Sequence, residues 1–96
     1  MGDQSRRIIW DRHNLKHLFV DHLERGITKE EVEEVLRSPH SFVVPTPERN
    51  TTFTVGKTAT GRRLGVAWLD RQAGIYPIHA LQVSGKQWRK FIDDNP

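Results

Sequence analysis

The spacing of apolar positions changes partway along this chain. Between Asp11 and Arg25, the residues Leu15, Leu18, Phe19, His22 and Leu23 fall at offsets of three, four, seven and eight, which line one face of a helix. Asp11 ahead of them has the chemistry of an N-cap, and Gly26 behind them supplies a left-handed stop. Thr28-Lys29-Glu30-Glu31 reads as a capping box, with Ile27 placed to staple onto Val32. A second helix is therefore predicted over 29–37, with Val32, Val35 and Leu36 inward, until Ser38-Pro39 ends it. Ile8-Ile9-Trp10, upstream of both, is predicted as a short strand.

From Phe42 onward the period shortens to that of strands. Ser41 to Val44 reads as one strand, broken by Pro45 and Pro47, and Thr52 to Val55 alternates as a second. Leu64 to Leu69 is apolar at nearly every position, the pattern of a central strand covered on both faces. Ile75 to Val83 forms the last, with Pro77 marking an edge or an irregularity. Turns are expected at Ala59-Thr60-Gly61 and over 71–74. Ser84-Gly85-Lys86-Gln87 is a second capping box, opening a terminal helix with Trp88, Phe91 and Ile92 on one face. The predicted order is β-α-α-β-β-β-β-α: an α+β fold in which an antiparallel sheet packs against helices.

The 96 residues allow one domain, expected over 8–93, behind a polar lead-in at 1–7 expected to be disordered. The absence of cysteine excludes disulfides, thiolate nucleophiles and Cys-ligated metals. No apolar run has membrane-spanning length and no signal-peptide pattern is present, so no membrane partner and a cytoplasmic location are expected. The net charge of +3 is unevenly spread. Residues 1–37 carry seven basic and eight acidic side chains; residues 38–92 carry eight basic ones against only Glu48 and Asp70. A sheet half at +6 suits a polyanion, although a solvated basic surface has the same composition.

The titratable residues narrow the chemistry. His13 and His17 lie four apart, a spacing that can hold a metal, but the helical wheel turns both to solvent and leaves His22 unable to complete the site; no metal and no cofactor are expected. No phosphate loop, nucleophile elbow or carboxylate pair is present. Strand alternation puts His79 on the face shared with Pro77 and Leu81, an open surface if helices cover the other side. Arg49, Lys57 and Arg62 come from loops or strand ends that could border it. An imidazole with nearby cations suits metal-independent RNA cleavage, in which the 2′-hydroxyl attacks the adjacent phosphate. Arg63, Lys86, Arg89 and Lys90 are further RNA-contact candidates.

The order Trp10-Asp11, His13-Asn14, His17, His22, Gly26-Ile27-Thr28, Glu30 to Leu36, Arg49, Gly56-Lys57-Thr58, Gly61-Arg62, Leu64 to Leu69 and Ile78-His79-Ala80 resembles the BrnT-like toxins over about residues 8–92. The resemblance implies a RelE-like ribonuclease fold. It also implies the toxin role in a type II toxin–antitoxin pair, with a cognate antitoxin that binds DNA and holds the toxin inactive. It assigns Arg49, Lys57, Arg62 and His79 to the border of the RNA site. The chain departs from the family's pattern at Leu81, where an arginine is usual, and leucine cannot bind phosphate. Two rival readings follow: a toxin-derived module that binds without turnover, or a protein acting only through an acidic partner at Lys86, Arg89 and Lys90.

Overall fold

The helices begin where side chains stand in for missing backbone partners. In the computed structural model, which describes residues 6–94, the Asp11 carboxylate accepts from the Asn14 backbone N–H, and the Asn14 side-chain oxygen accepts from the Asp11 N–H. This pair opens α1 (Arg12–Leu15), which lasts only four residues. It continues as a π-helical segment, Lys16–Asp21, and then a 3-10 turn, Leu23–Arg25, closed by Gly26 at φ 62°. The single apolar face predicted over 15–23 is thereby corrected. Leu18 is buried, but Leu23 is 74% exposed. A π turn holds more residues than an α turn and rotates all that follows it away from the α-helical wheel. α2 (Lys29–Arg37) opens on the expected Thr28–Glu31 capping box and buries Val32, Val35 and Leu36.

β1 (Phe42–Val44), β2 (Thr51–Lys57), β3 (Arg63–Arg71) and β4 (Gly74–Gln82) make one antiparallel sheet in chain order, with β3 inside it. The strand expected at 8–10 is corrected to a single parallel bridge, Ile8 to Ile75. Its physical limit is visible. The pairing of β3 with β4 shifts register between Ala67 and Trp68, opposite Pro77, so the edge bends. The Ile9 carbonyl is then taken by the Asn14 side chain, which also donates to the Pro77 carbonyl. Arg7 accepts from the Ile75 N–H, and Arg6 pairs with Asp70, so these two residues of the expected lead-in belong to the fold. Residues 1–5 of that lead-in lie outside the described residues.

The two sheet faces carry different helices. α2 packs on the face of Leu64, Val66 and Ala80. α3 (Gly85–Asp94), opened by Ser84 and Gln87 as expected, lays Trp88 and Phe91 on the opposite face, against Val55, Leu81 and Val83. Register places Val44, Phe53, Ala67 and His79 in one row across that second face. Gly65, in the next row, lets the Phe53 ring lie flat: a Cβ there would stand 2.3 Å from its ζ carbon. Gly65→Ala should therefore displace Phe53 and cost about 1–3 kcal/mol, measurable as a lowered urea midpoint at unchanged m.

Candidate functional site

α3 covers only part of its face, and a cleft of about 330 Å³ opens beside it. The Phe53–Ala67–His79 row and Leu81 line its floor. Phe91 of α3 borders it on one side, and the loop from Pro45 to Glu48 on the other. The lining is mainly apolar and aromatic; its charged or ionisable members are Glu48 and His79. His79 thus lies with Leu81 on the face away from α2, as expected, but Pro77, expected beside them, pairs with Trp68 across the register shift and falls on the opposite face. α3 narrows the open surface expected there to a cleft.

His79 also faces a second group of side chains, contributed by the chain that wraps the β4 edge. The Arg25 guanidinium donates to the Ala80 carbonyl at 2.9 Å and lies 3.3 Å from His79 Nε2. The ring centroids of His17 and His22 lie 6.1 and 6.0 Å from that of His79, and 5.0 Å from each other. Sequence reasoning missed this cluster for a geometric reason. Residues five apart on an α-helix point about 140° from one another; the π-helical turn brings His17 and His22 onto one side. The expectation that His17 is solvent-facing like His13, and that His22 stands apart from it, is corrected by that turn. His22 Nδ1 lies 3.4 Å from Glu24 Oε1, which orients its ring.

Burial, the Arg25 charge and the neighbouring His17 and His22 rings push the His79 pKa below the ordinary imidazole value of 6.5, with Glu48 pulling the other way. A neutral imidazole keeps one nitrogen lone pair that can take a proton; in His79 the nitrogen facing Arg25 is Nε2, which can only accept from a guanidinium. The guanidinium against Nε2 makes the cluster an anion site in electrostatic terms. Among the described residues no group of three or more His, Asp or Glu could hold a metal ion.

The other expected site residues are spread more widely. Arg49 is exposed on the β1–β2 loop, next to Glu48. Arg62 is engaged elsewhere: it clasps both Glu31 carboxylate oxygens at 2.8 and 2.9 Å and donates to the Gly26 carbonyl. It thereby pins the start of α2 to the β2–β3 turn. One guanidinium nitrogen makes all three of these bonds and the other donates to the Arg25 carbonyl. Arg62→Lys keeps the charge but loses the second nitrogen, and should lower the unfolding free energy by about 1–2 kcal/mol, read by chemical denaturation. Lys57 and Arg63 pair in register at the far end of β2 and β3, about 13 Å along the strand from the Phe53 row. There Lys57 Nζ sits over the Trp88 ring and Arg63 approaches Gly85 at the start of α3. Lys86, Arg89 and Lys90 are exposed along α3.

No protein-family model, curated protein or solved structure matches this chain. Among the described residues no helix is long and apolar enough to cross a membrane. The arrangement sets an imidazole, which can move a proton, against a guanidinium, which can hold an anion, beside an apolar cleft.

Proposed function

We propose that the chain is a BrnT-like toxin of a type II toxin–antitoxin pair, with a RelE-like fold, and that it cleaves RNA at His79 without a metal. The observation that carries this reading is the Arg25–His79 contact, with His17 and His22 beside it. Arg25 turns from His79 Nε2 onto the phosphate, and the lone pair it leaves takes the proton of a ribose 2′-hydroxyl. The 2′-oxygen then attacks the adjacent phosphorus, and the bond from phosphorus to the 5′-oxygen breaks. His22, oriented by Glu24, gives a proton to the departing oxygen. Arg25 stabilises the charge that builds on the phosphorane. The products are a 2′,3′-cyclic phosphate and a 5′-hydroxyl.

Arg25 also bears on the leucine at position 81. Its guanidinium is held by the carbonyl of the preceding residue, Ala80, so a cation reaches this part of β4 from another element. That favours turnover over the rival reading of a module that only binds. The cations of α3 and of the β2–β3 end extend the RNA-binding surface, and the cytoplasm, where RNA and a DNA-binding antitoxin meet, is the proposed location.

The purified chain should cut a single-stranded oligoribonucleotide in excess EDTA, leaving cyclic phosphate ends, and spare the same strand carrying 2′-deoxyribose at the cut. Its induced expression should arrest growth. A stably folded protein that cuts no RNA and leaves growth unchanged overturns the proposal.

A further inference from the structure

The cleft beside His79 is larger and more apolar than phosphate chemistry requires, and it contains a carboxylate. In residues 38–92 the only acids are Glu48 and Asp70, and Asp70 is paired with Arg6. Glu48 instead lines the cleft, together with Phe53, Phe91, Leu81 and the prolines at 45 and 47. A carboxylate on the path of a polyanion repels it, unless the carboxylate meets a hydrogen-bond donor carried by that polyanion. Nucleobases carry such donors on their edges and apolar faces above them. Phe53 and Phe91, with ring centroids 6.4 Å apart, offer aromatic surface of the kind on which bases stack. An ionised carboxylate accepts only, through two oxygens side by side. Guanine matches it with two adjacent donors, its ring N–H and its exocyclic amine. Adenine and cytosine present one amine, and uracil one ring N–H.

We propose that this cleft is a nucleobase pocket that prefers guanine, with Glu48 reading the base edge and Phe53 and Phe91 contacting its face. This rests on the reading of His79 and Arg25 as the phosphate site, because the pocket and that site share the His79 ring. The substrate class is then single-stranded RNA, since a paired base is neither free to enter the cleft nor able to offer that edge. The cut would fall at the phosphate attached to the bound guanosine.

The test is a titration of the full chain with guanosine, inosine and uridine 3′-monophosphates, and with ribose 5-phosphate as the base-free control. Binding is followed by NMR shifts of Phe53, Ala67 and Phe91. The guanosine nucleotide should bind about tenfold tighter than the uridine nucleotide and ribose 5-phosphate, with inosine, lacking the exocyclic amine, between. Glu48→Gln should erase the preference for guanosine over inosine. Phe91→Ala should weaken every nucleotide severalfold and leave ribose 5-phosphate unchanged. Equal binding of the guanosine nucleotide and ribose 5-phosphate overturns the pocket, as do shifts confined to Lys86, Arg89 and Lys90. No cleavage is needed for this readout, so the two proposals fail separately. Guanosine binding without RNA cutting removes the nuclease and keeps the pocket; cutting with no base preference does the reverse.

Discussion

His79→Ala should lower RNA cleavage by about 10²–10⁴-fold, the range lost with a positioned general base, while leaving the folded chain intact. The half-buried ring is not part of either apolar cluster that holds the sheet to its helices. The pH profile makes the assignment specific. Burial and the Arg25 charge hold His79 below 6.5, so the acid limb of kcat/KM should lie below that value, where the base gains its proton. Removing the guanidinium, as in Arg25→Ala, relieves the repulsion and should move that limb upward while lowering the maximum rate. Glu48→Gln removes the opposing pull and should move it downward. A profile in which neither substitution shifts the limb would place the titrating base elsewhere. The same shift has a sign for stability. The unfolded His79 binds a proton near 6.5 and the folded one resists it, so this contribution is present above 6.5 and is lost as the pH falls through the lowered value.

Asn14→Ala should cost about 3 kcal/mol, the largest loss expected from any single polar side chain in this fold. Asn14 is only 2% exposed, and its amide is fully used. It accepts from the Asp11 N–H at 2.9 Å, and donates to the Ile9 carbonyl at 3.0 Å and the Pro77 carbonyl at 3.1 Å. Alanine leaves all three backbone groups without that partner in a place water reaches poorly. The melting temperature should fall by on the order of 15 °C for a domain of this size. Asn14→Asp is the informative control. It preserves shape and one acceptor but turns two donors into a charge facing two carbonyls, and should be at least as costly at neutral pH. Equal melting temperatures for wild type and Asn14→Ala would show that the N-terminal segment is not held through this amide.

Much of the fold was legible because its signals are local. Both capping boxes and the αL stop at Gly26 close their hydrogen bonds within a few positions, and the four strands at 42–82 show in the local alternation and the turn residues between them. The strand assigned at 8–10 was not legible as a bridge, because what limits it is a shift in register next to Pro77, far along the chain. The site divides in the same way. His79 could be placed on its face by alternation alone, since period two survives on the Ala67–His79 side of the register shift. Arg25 could not be placed, because its two partners lie 54 and 55 residues away. The pairing of His17 with His22 depends on a widened turn that no wheel drawn at 100° per residue contains. Arg62 has the composition of an RNA contact and the geometry of a strut, a difference that appears only once Glu31 is in place.

The meander order of the sheet has a kinetic consequence. Each strand pairs with its neighbour in sequence, so residues 42–82 can assemble through short loops at little closure entropy. The N-terminal segment must instead find β4 across a long span, with Asn14 and Pro77 separated by 63 residues. Docking of that segment is therefore expected late in folding, and its release early in local opening. The proposed catalytic groups straddle this seam: His79 rides on the early unit, whereas His17, His22 and Arg25 ride on the late one. A partly opened chain would carry the imidazole apart from its guanidinium, so the proposed cutting of RNA would require the docked N-terminal segment.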